Sequence, residues 1–344
     1  MVSVTTGSKL HRAARVEDRA HVWLERWLRR RGWVPRLVAF TGYGSEGWAR
    51  VLARVLLAPP ATKSYELRLG RGWRRFFSAT AAGVPVTIEV GGRVHEVTSV
   101  RGGYIDAVLA ADLPAGWQEA RLRAGTAAAT AQLRIVGPDP GLGIVSDIDD
   151  TVMVTALPRP LLAAWNTFVR HETTRRPVTG MSTMYSEVAR HHADVPVFYL
   201  STGAWNVAPT LELFLERHGY PPGPLLMTDW GPTADAWFRS GREHKRTELR
   251  RLLEELPQLR WLLVGDDGQH DPEIYAEAAE ESPDQIRAVA IRELSAAQQV
   301  LTHGTPEPIH DRGAVRTTPR HLEVRSPDGF GLLAALRDRG VVGG

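Results

Sequence analysis

The period of hydrophobic and polar positions changes along the chain, and the changes divide it. Near the start, Val22, Leu24, Trp27 and Leu28 recur at helical spacing with Trp23 beside them, and Arg29, Arg30 and Arg31 close the run. This pattern predicts a helix over 18–31 that stops at Gly32. Residues 34–57 mix glycines with apolar runs and read as a loop with one strand or short helix. From 63 to 137 the period is two: Tyr65–Leu69, Val84–Val90 and Arg93–Val97 alternate, Tyr104–Leu109 and Ala131–Val136 follow, and Gly91-Gly92 and Gly102-Gly103 punctuate them. Short alternating strands with turn residues at this spacing predict a small antiparallel β-sandwich-like domain. Pro138 and Pro140 mark a linker. After 141 short apolar strands alternate with helical patterns. The strands fall at Ile144–Ile148, Val195–Leu200, Trp261–Val264 and Ile286–Ile291, and the helices near 182–192, 208–218, 242–256 and 272–281. That alternation predicts an α/β domain: a parallel sheet with helices on both faces, whose ligands bind at the carboxyl ends of the strands. The expected organisation is an N-terminal helix and connecting segment over 1–62, a small β-rich domain over 63–140, a catalytic domain over 141–295 and a C-terminal extension over 296–344, with a last helix near 330–338.

Composition narrows the function. With 344 residues, 43% hydrophobic and 24% charged, the chain has the make-up of a globular protein with room for a buried core. It has no cysteine, which excludes disulfides, thiolate metal sites and Cys nucleophiles and fits a reducing compartment. No run approaches the roughly 18 apolar residues of a membrane span, and the first thirty residues show no apolar core of a secretory signal. The expected location is therefore cytoplasmic, with contact to a membrane surface at most peripheral. The net charge of +3 conceals a basic half and an acidic one. Residues 1–140 hold 21 Lys+Arg against 11 Asp+Glu, and residues 141–344 hold 21 against 28. The basic half suits anionic lipid; no helix-turn-helix, finger or RNA-binding signature points to nucleic acid. Only Lys9, Lys63 and Lys245 are lysines, so a position that keeps Lys where the chain otherwise uses Arg is informative.

The chemistry gathers at predicted strand ends. The first strand runs into Asp147-Ile148-Asp149-Asp150-Thr151, and the third into Gly265-Asp266-Asp267-Gly268-Gln269-His270-Asp271. Carboxylates this close repel unless a cation lies among them. Each turn alone reads equally as a solvated loop or helix cap. Two on one edge of a parallel sheet make a hard-oxygen set suited to Mg²⁺. The second strand ends in Ser201-Thr202-Gly203, a hydroxyl with backbone N–H groups that forms either an anion site or a plain helix cap. Lys245 falls at the start of the helix predicted over 242–256, where its charge opposes the helix dipole unless an anion is near.

These motifs, in this order, resemble the haloacid dehalogenase (HAD) phosphohydrolase superfamily over about 140–295. More narrowly, Ile148-Asp149-Asp150-Thr151, Trp205-Asn206 and the run Gly265–Tyr275 resemble the catalytic domain of App1-like phosphatidate phosphatases. The resemblance implies a HAD-like fold and a phosphatase that works through an aspartyl-phosphate. It implies Asp147 as nucleophile and Asp149 as general acid and then base. Thr151 would orient Asp149 or shape the turn, Ser201 would hold the transferring phosphoryl with Thr202 and Gly203 beside it, and Lys245 would screen Asp147. Mg²⁺ would be held by Asp147, Asp149, Asp271 and either Asp266 or Asp267, of which Asp266 follows the glycine directly. The implied substrate is a lipid phosphomonoester, phosphatidate; a soluble phosphomonoester, or a noncatalytic membrane- or partner-binding role, stays open. Two features bear on lipid. Residues 152–194 hold Trp165, Phe168, Met181, Met184 and Tyr185 with Arg159, Arg170, Arg175 and Arg176, which suits either a phosphate headgroup with acyl chains or ordinary packing of a flap. The Trp23/Trp27 stripe with its arginines reads as an interfacial helix or as core with arginines reaching outward.

Overall fold

The structure is a computed structural model that describes residues 23–60, 79–154, 176–192, 194–228, 234–268, 270–295, 298, 315–317 and 321–343. The alternating run Tyr65–Leu69 and the flap residues Trp165, Phe168, Arg159, Arg170 and Arg175 lie outside the described residues.

The expected fold is overturned. Among the described residues strands outweigh helices, and the chain forms neither a HAD-like, helix-rich α/β fold nor a small antiparallel sandwich ahead of it. The N-terminal strands make a single curled, mixed, eight-stranded sheet: β1 (Val34–Ser45), β2 (Trp48–Ala58), β3 (Ala79–Thr80), β4 (Pro85–Val90), β5 (Arg93–Thr98), β6 (Tyr104–Ala110), β7 (Gly116–Ala124) and β8 (Ala127–Ile135). Their order is β3-β2-β1-β8-β7-β4-β5, with β6 on β2. β1 and β8 run parallel, whereas β4 is antiparallel to both β5 and β7. The two longest strands, of 12 and 11 residues, occupy the stretch read as mostly loop. Its glycines misled the reading because here they serve close packing. A Cβ on Gly42 would lie 2.2 Å from the Arg50 carbonyl oxygen and 2.8 Å from Leu133 Cδ2. Glycine inside a strand marks such an approach as readily as a turn.

The second sheet holds β9 (Gly141–Asp147), β12 (Val197–Ala204), β13 (Leu225–Thr228), β14 (Leu259–Asp266), β15 (Ile286–Arg292), β16 (Val315–Thr317) and β17 (Leu322–Ser326) in the order β13-β12-β9-β14-β15-β17-β16. Its pairs are parallel except for the edge strand β16 on β17. β10 (Met153–Val154) and β11 (Arg176–Pro177) form a separate two-stranded ladder. The helices are α1 (residues 23–30), α2 (Met181–His191), α3 (Ala208–Arg217), α4 (Ala234–Glu255), α5 (Asp271–Glu281) and α6 (Gly329–Asp338). The central strands read as continuous apolar runs because both sides are covered: Ile144, Val145, Phe198, Tyr199, Leu262, Leu263, Ala288 and Ala290 are all buried.

By compactness the chain divides into two interleaved units. One comprises residues 1–39, 52–107 and 121–130; the other comprises 40–51, 108–120 and 131–344. The second carries the site and its own core, in which Tyr43, Phe198 and Trp261 stack edge to face in series. The Tyr43 hydroxyl donates to Glu255 Oε2 at 2.7 Å, and Arg50 pairs with the same carboxylate.

Candidate active site

Strand register assembles the site. β9 lies between β12 and β14, pairing Asp147 with Leu200 on one side and Ser146 with Val264 on the other. The parallel direction therefore brings the carboxyl ends of three strands together: Asp147, Ser201 and Asp266 are each buried there. Beyond β14 the chain turns into α5, whose first residue, Asp271, is fully buried. A Cβ on Gly265 would lie 2.7 Å from both Cβ and Oδ2 of Asp271, so the glycine before Asp266 is what admits that carboxylate.

Lys245 reaches this cluster from α4. Its Nζ lies 2.6 Å from Asp147 Oδ1 and donates to Asp271 Oδ1 at 2.7 Å. The helix begins at Ala234, eight residues before the expected start, so Lys245 is an interior helical residue. The dipole argument for an anion beside it was wrong, and the anions are there for another reason: two carboxylates meet it in the interior. Burial by itself lowers the basicity of such an amine, and the Asp147 and Asp271 charges more than offset that, so its pKa moves upward and the ammonium stays charged.

Oxygen atoms of Asp147, Asp266 and Asp271 all lie within 4.8 Å of one another. Asp266 Oδ1 accepts the Gly268 N–H at 2.7 Å, and Thr151 Oγ1 donates to its Oδ2 at 3.5 Å. Asp267 turns elsewhere: its Oδ1 accepts the Leu294 N–H at 2.8 Å, so Asp266 rather than Asp267 stands in the cluster. Burial, followed by the Lys245 charge acting against it and the Asp271 and Asp149 charges acting with it, leaves Asp147 well above the usual carboxylate range. Burial, then Asp271 and Asp147, does the same to Asp266. Asp147 Oδ1 meets the Lys245 ammonium at 2.6 Å, and its Oδ2 is buried without a hydrogen-bond partner. The three buried carboxylates, with the unpartnered Asp147 Oδ2 among them, form an all-oxygen set that fits a hard divalent cation.

The remaining predicted residues hold the edges. Asp149 is buried and bridged to Met153 in the turn after β9, and Asp150 takes a left-handed φ of 57°. Ser201 Oγ accepts the Gly203 N–H at 3.0 Å, while the Thr202 carbonyl accepts from Thr228 Oγ1 at 2.9 Å. Ser201 is thus a turn former at the carboxyl edge.

Two supports went unread in the sequence. Arg292 Nη1 donates to the Asp150 carbonyl at 2.5 Å and so clamps the left-handed turn. Ser146 Oγ donates to the Asp147 carbonyl at 2.6 Å and, having a single proton, receives a second bond from the Tyr185 hydroxyl at 2.6 Å. Arg292 comes from a strand 142 residues away, and no local spacing marks such a partner.

A carboxylate–lysine cluster at the carboxyl edge of a parallel sheet defines a class of metal-accepting sites. Residues 142–293 match the family described as the catalytic domain of phosphatidate phosphatase APP1. This segment is thus similar to an App1-like phosphatidate phosphatase catalytic domain, the resemblance that the motifs carried. The chain is 29% identical over 153 residues to phosphatidate phosphatase APP1 of Saccharomyces cerevisiae, covering 44% of this chain and 26% of that protein. It is 26% identical over 195 residues to an uncharacterized Schizosaccharomyces pombe protein, covering 52% and 31% respectively. The chain thus spans less than a third of the length of the curated relatives it matches. A solved carbohydrate acetylesterase from Xanthomonas citri aligns over 88% of this chain and 75% of its own at 10% identity and a TM-score of 0.30, too low to carry an argument.

Proposed function

We propose that this protein is a Mg²⁺-dependent phosphatase that hydrolyses a lipid phosphomonoester, phosphatidate, to diacylglycerol and phosphate through an aspartyl-phosphate on Asp147. The observation that carries the reading is the buried Lys245 bridging Asp147 and Asp271, with Asp266 beside them. A catalytic nucleophile held next to a permanent cation, and lacking other donors, is arranged to approach an anionic phosphate.

Asp147 attacks phosphorus through one carboxylate oxygen, forming the new O–P bond as the bond to the alcohol breaks. Asp149 gives its proton to the departing alkoxide, which leaves as diacylglycerol. The Asp149 carboxylate then takes a proton from water as that water attacks phosphorus, and the O–P bond to Asp147 breaks to release phosphate. Lys245 stays charged throughout and offsets the repulsion between Asp147 and the incoming dianion. Asp147, Asp266 and Asp271, with the Asp149 backbone carbonyl, would hold Mg²⁺. When bound, the ion neutralises phosphoryl charge and lowers the pKa of the buried carboxylates. The Ser201 hydroxyl, which accepts from the Gly203 N–H and keeps its own proton to give, supports the phosphoryl oxygens.

The reading is tested by phosphate release from phosphatidate in mixed micelles, with Mg²⁺ or EDTA, for the wild type and Asp147→Asn. Release that disappears with EDTA and with the substitution supports it. Turnover of soluble phosphate esters but not of phosphatidate discards the lipid and keeps the site chemistry. Inactivity on both overturns the enzyme reading. A peripheral contact with the membrane surface would accompany a lipid substrate, and its physical basis lies in the N-terminal helix.

A further inference from the structure

The helix α1 turns most of its large apolar side chains outward. Trp23, Leu24 and Trp27 are 66%, 38% and 36% exposed, while Leu28 alone among its described large apolar residues is buried, at 6%. The two indoles stack on the surface, with centroids 6.4 Å apart and planes 18° from parallel. The Arg31 guanidinium lies 3.8 Å from the centre of the Trp27 ring. Arg26, Arg30 and Arg31 are exposed, and Arg29 is paired with Glu25 at 2.9 Å. Four arginines against one glutamate thus surround an apolar surface made of two indoles and a leucine. Exposing this much aromatic area to water is unfavourable, and folding leaves it there.

We infer that the 23–31 surface is a docking site for an anionic lipid bilayer. Indole rings prefer the boundary between headgroups and acyl chains, where the apolar body is buried and the N–H stays solvated. Arginines beside them meet lipid phosphates, and their field attracts the anionic leaflet. Leu24 adds an aliphatic contact that acyl chains reward and nucleic acid bases do not. Self-association through this face would set eight arginines against two glutamates, and like charges oppose it. The inference deepens the lipid-phosphatase reading, since a surface-bound enzyme meets its substrate in two dimensions. It is tested on a lipid that is not a phosphomonoester, so the two stand or fall separately.

The experiment is flotation of the full chain with vesicles of phosphatidylcholine alone and of phosphatidylcholine mixed with phosphatidylglycerol. The wild type should bind the anionic vesicles, less as salt rises, and bind the neutral ones weakly. Trp23→Ser/Trp27→Ser should weaken partitioning by about tenfold or more, and Arg30→Glu/Arg31→Glu by a similar factor, with circular dichroism unchanged in both. The second variant leaves the apolar residues in place and so guards against a loss that reflects misfolding of the first. Equal binding by wild type and both variants overturns the proposal, as does absence of wild-type binding to the anionic vesicles. A wild-type dimer in light scattering that both variants dissolve also overturns it, by assigning the face to a second copy.

Discussion

Replacing Lys245 by Met removes one charge from the centre of the site at nearly constant volume. The ammonium is 3% exposed and lies 2.6 Å from Asp147 and 2.7 Å from Asp271. At an effective dielectric near 20, a unit charge pair about 2.6 Å apart attracts by roughly 6 kcal/mol. Desolvation of the three groups takes back much of that attraction. Breaking such a buried pair from one side costs about 3–5 kcal/mol, because the partner charge is stranded. The stranded carboxylates have one escape, which is to bind protons. Asp147 and Asp266 are already pushed upward by burial, and losing the nearby cation pushes them further. In the wild type the raised lysine stays charged well into the alkaline range, so its contribution is steady from acid to neutral pH. In the variant the carboxylates are neutral in acid and must charge, unpaired, as pH rises. The loss should therefore be smaller near about pH 5 and reach about 3–5 kcal/mol near about pH 8. The assay is urea unfolding in EDTA at both pH values. A deficit below about 1 kcal/mol at the higher pH, or one that grows as pH falls, would refute the account of a buried, charge-neutralising lysine.

Three further outcomes follow from the same geometry. Asp266→Asn should raise the Mg²⁺ concentration needed for half-maximal turnover by at least about tenfold, whereas Asp267→Asn should leave that requirement alone and cost about 1 kcal/mol by weakening the bond to Leu294; titrating both variants with metal separates them. Gly265→Ala should destabilise the fold by about 1–3 kcal/mol and also raise the metal requirement, because the new Cβ displaces Asp271; a stability loss with an unchanged metal requirement would contradict this. Raised acids stabilise the fold at low pH and lose that contribution as pH climbs through their folded values. The metal-free protein should thus weaken with rising pH and gain more from Mg²⁺ at higher pH. Melting curves with and without Mg²⁺ across pH check this, and equal protection at every pH would count against carboxylate ligands.

Much of the site was legible because its chemistry is local. Asp147, Ser201 and Asp266 each close an apolar run that reads as a buried strand, Asp149 and Asp271 lie in the turns beyond, and the rarity of lysine pointed to Lys245. Asp266 was preferred to Asp267 only because it follows Gly265 directly, since which way a turn points two adjacent residues is set by what packs around it. The clamp from Arg292 and the Tyr185–Ser146 support were equally hidden, because both partners arrive from distant segments. The misread stretch 34–57 shows the same limit in the fold: Gly42 means a turn or a tight crossing depending on what packs against it.

Within residues 141–295, then, the sequence by itself determined the positions of the main strands and helices, through hydrophobic period, and which residues could do chemistry, through residue type. Tertiary structure alone decided that the N-terminal strands join into one curled mixed sheet and that Lys245 lies inside a helix between two carboxylates. It alone turned Trp23 and Trp27 outward. Period records only that one side of an element is apolar; which surface covers that side, or leaves it to solvent, depends on residues far away in the chain.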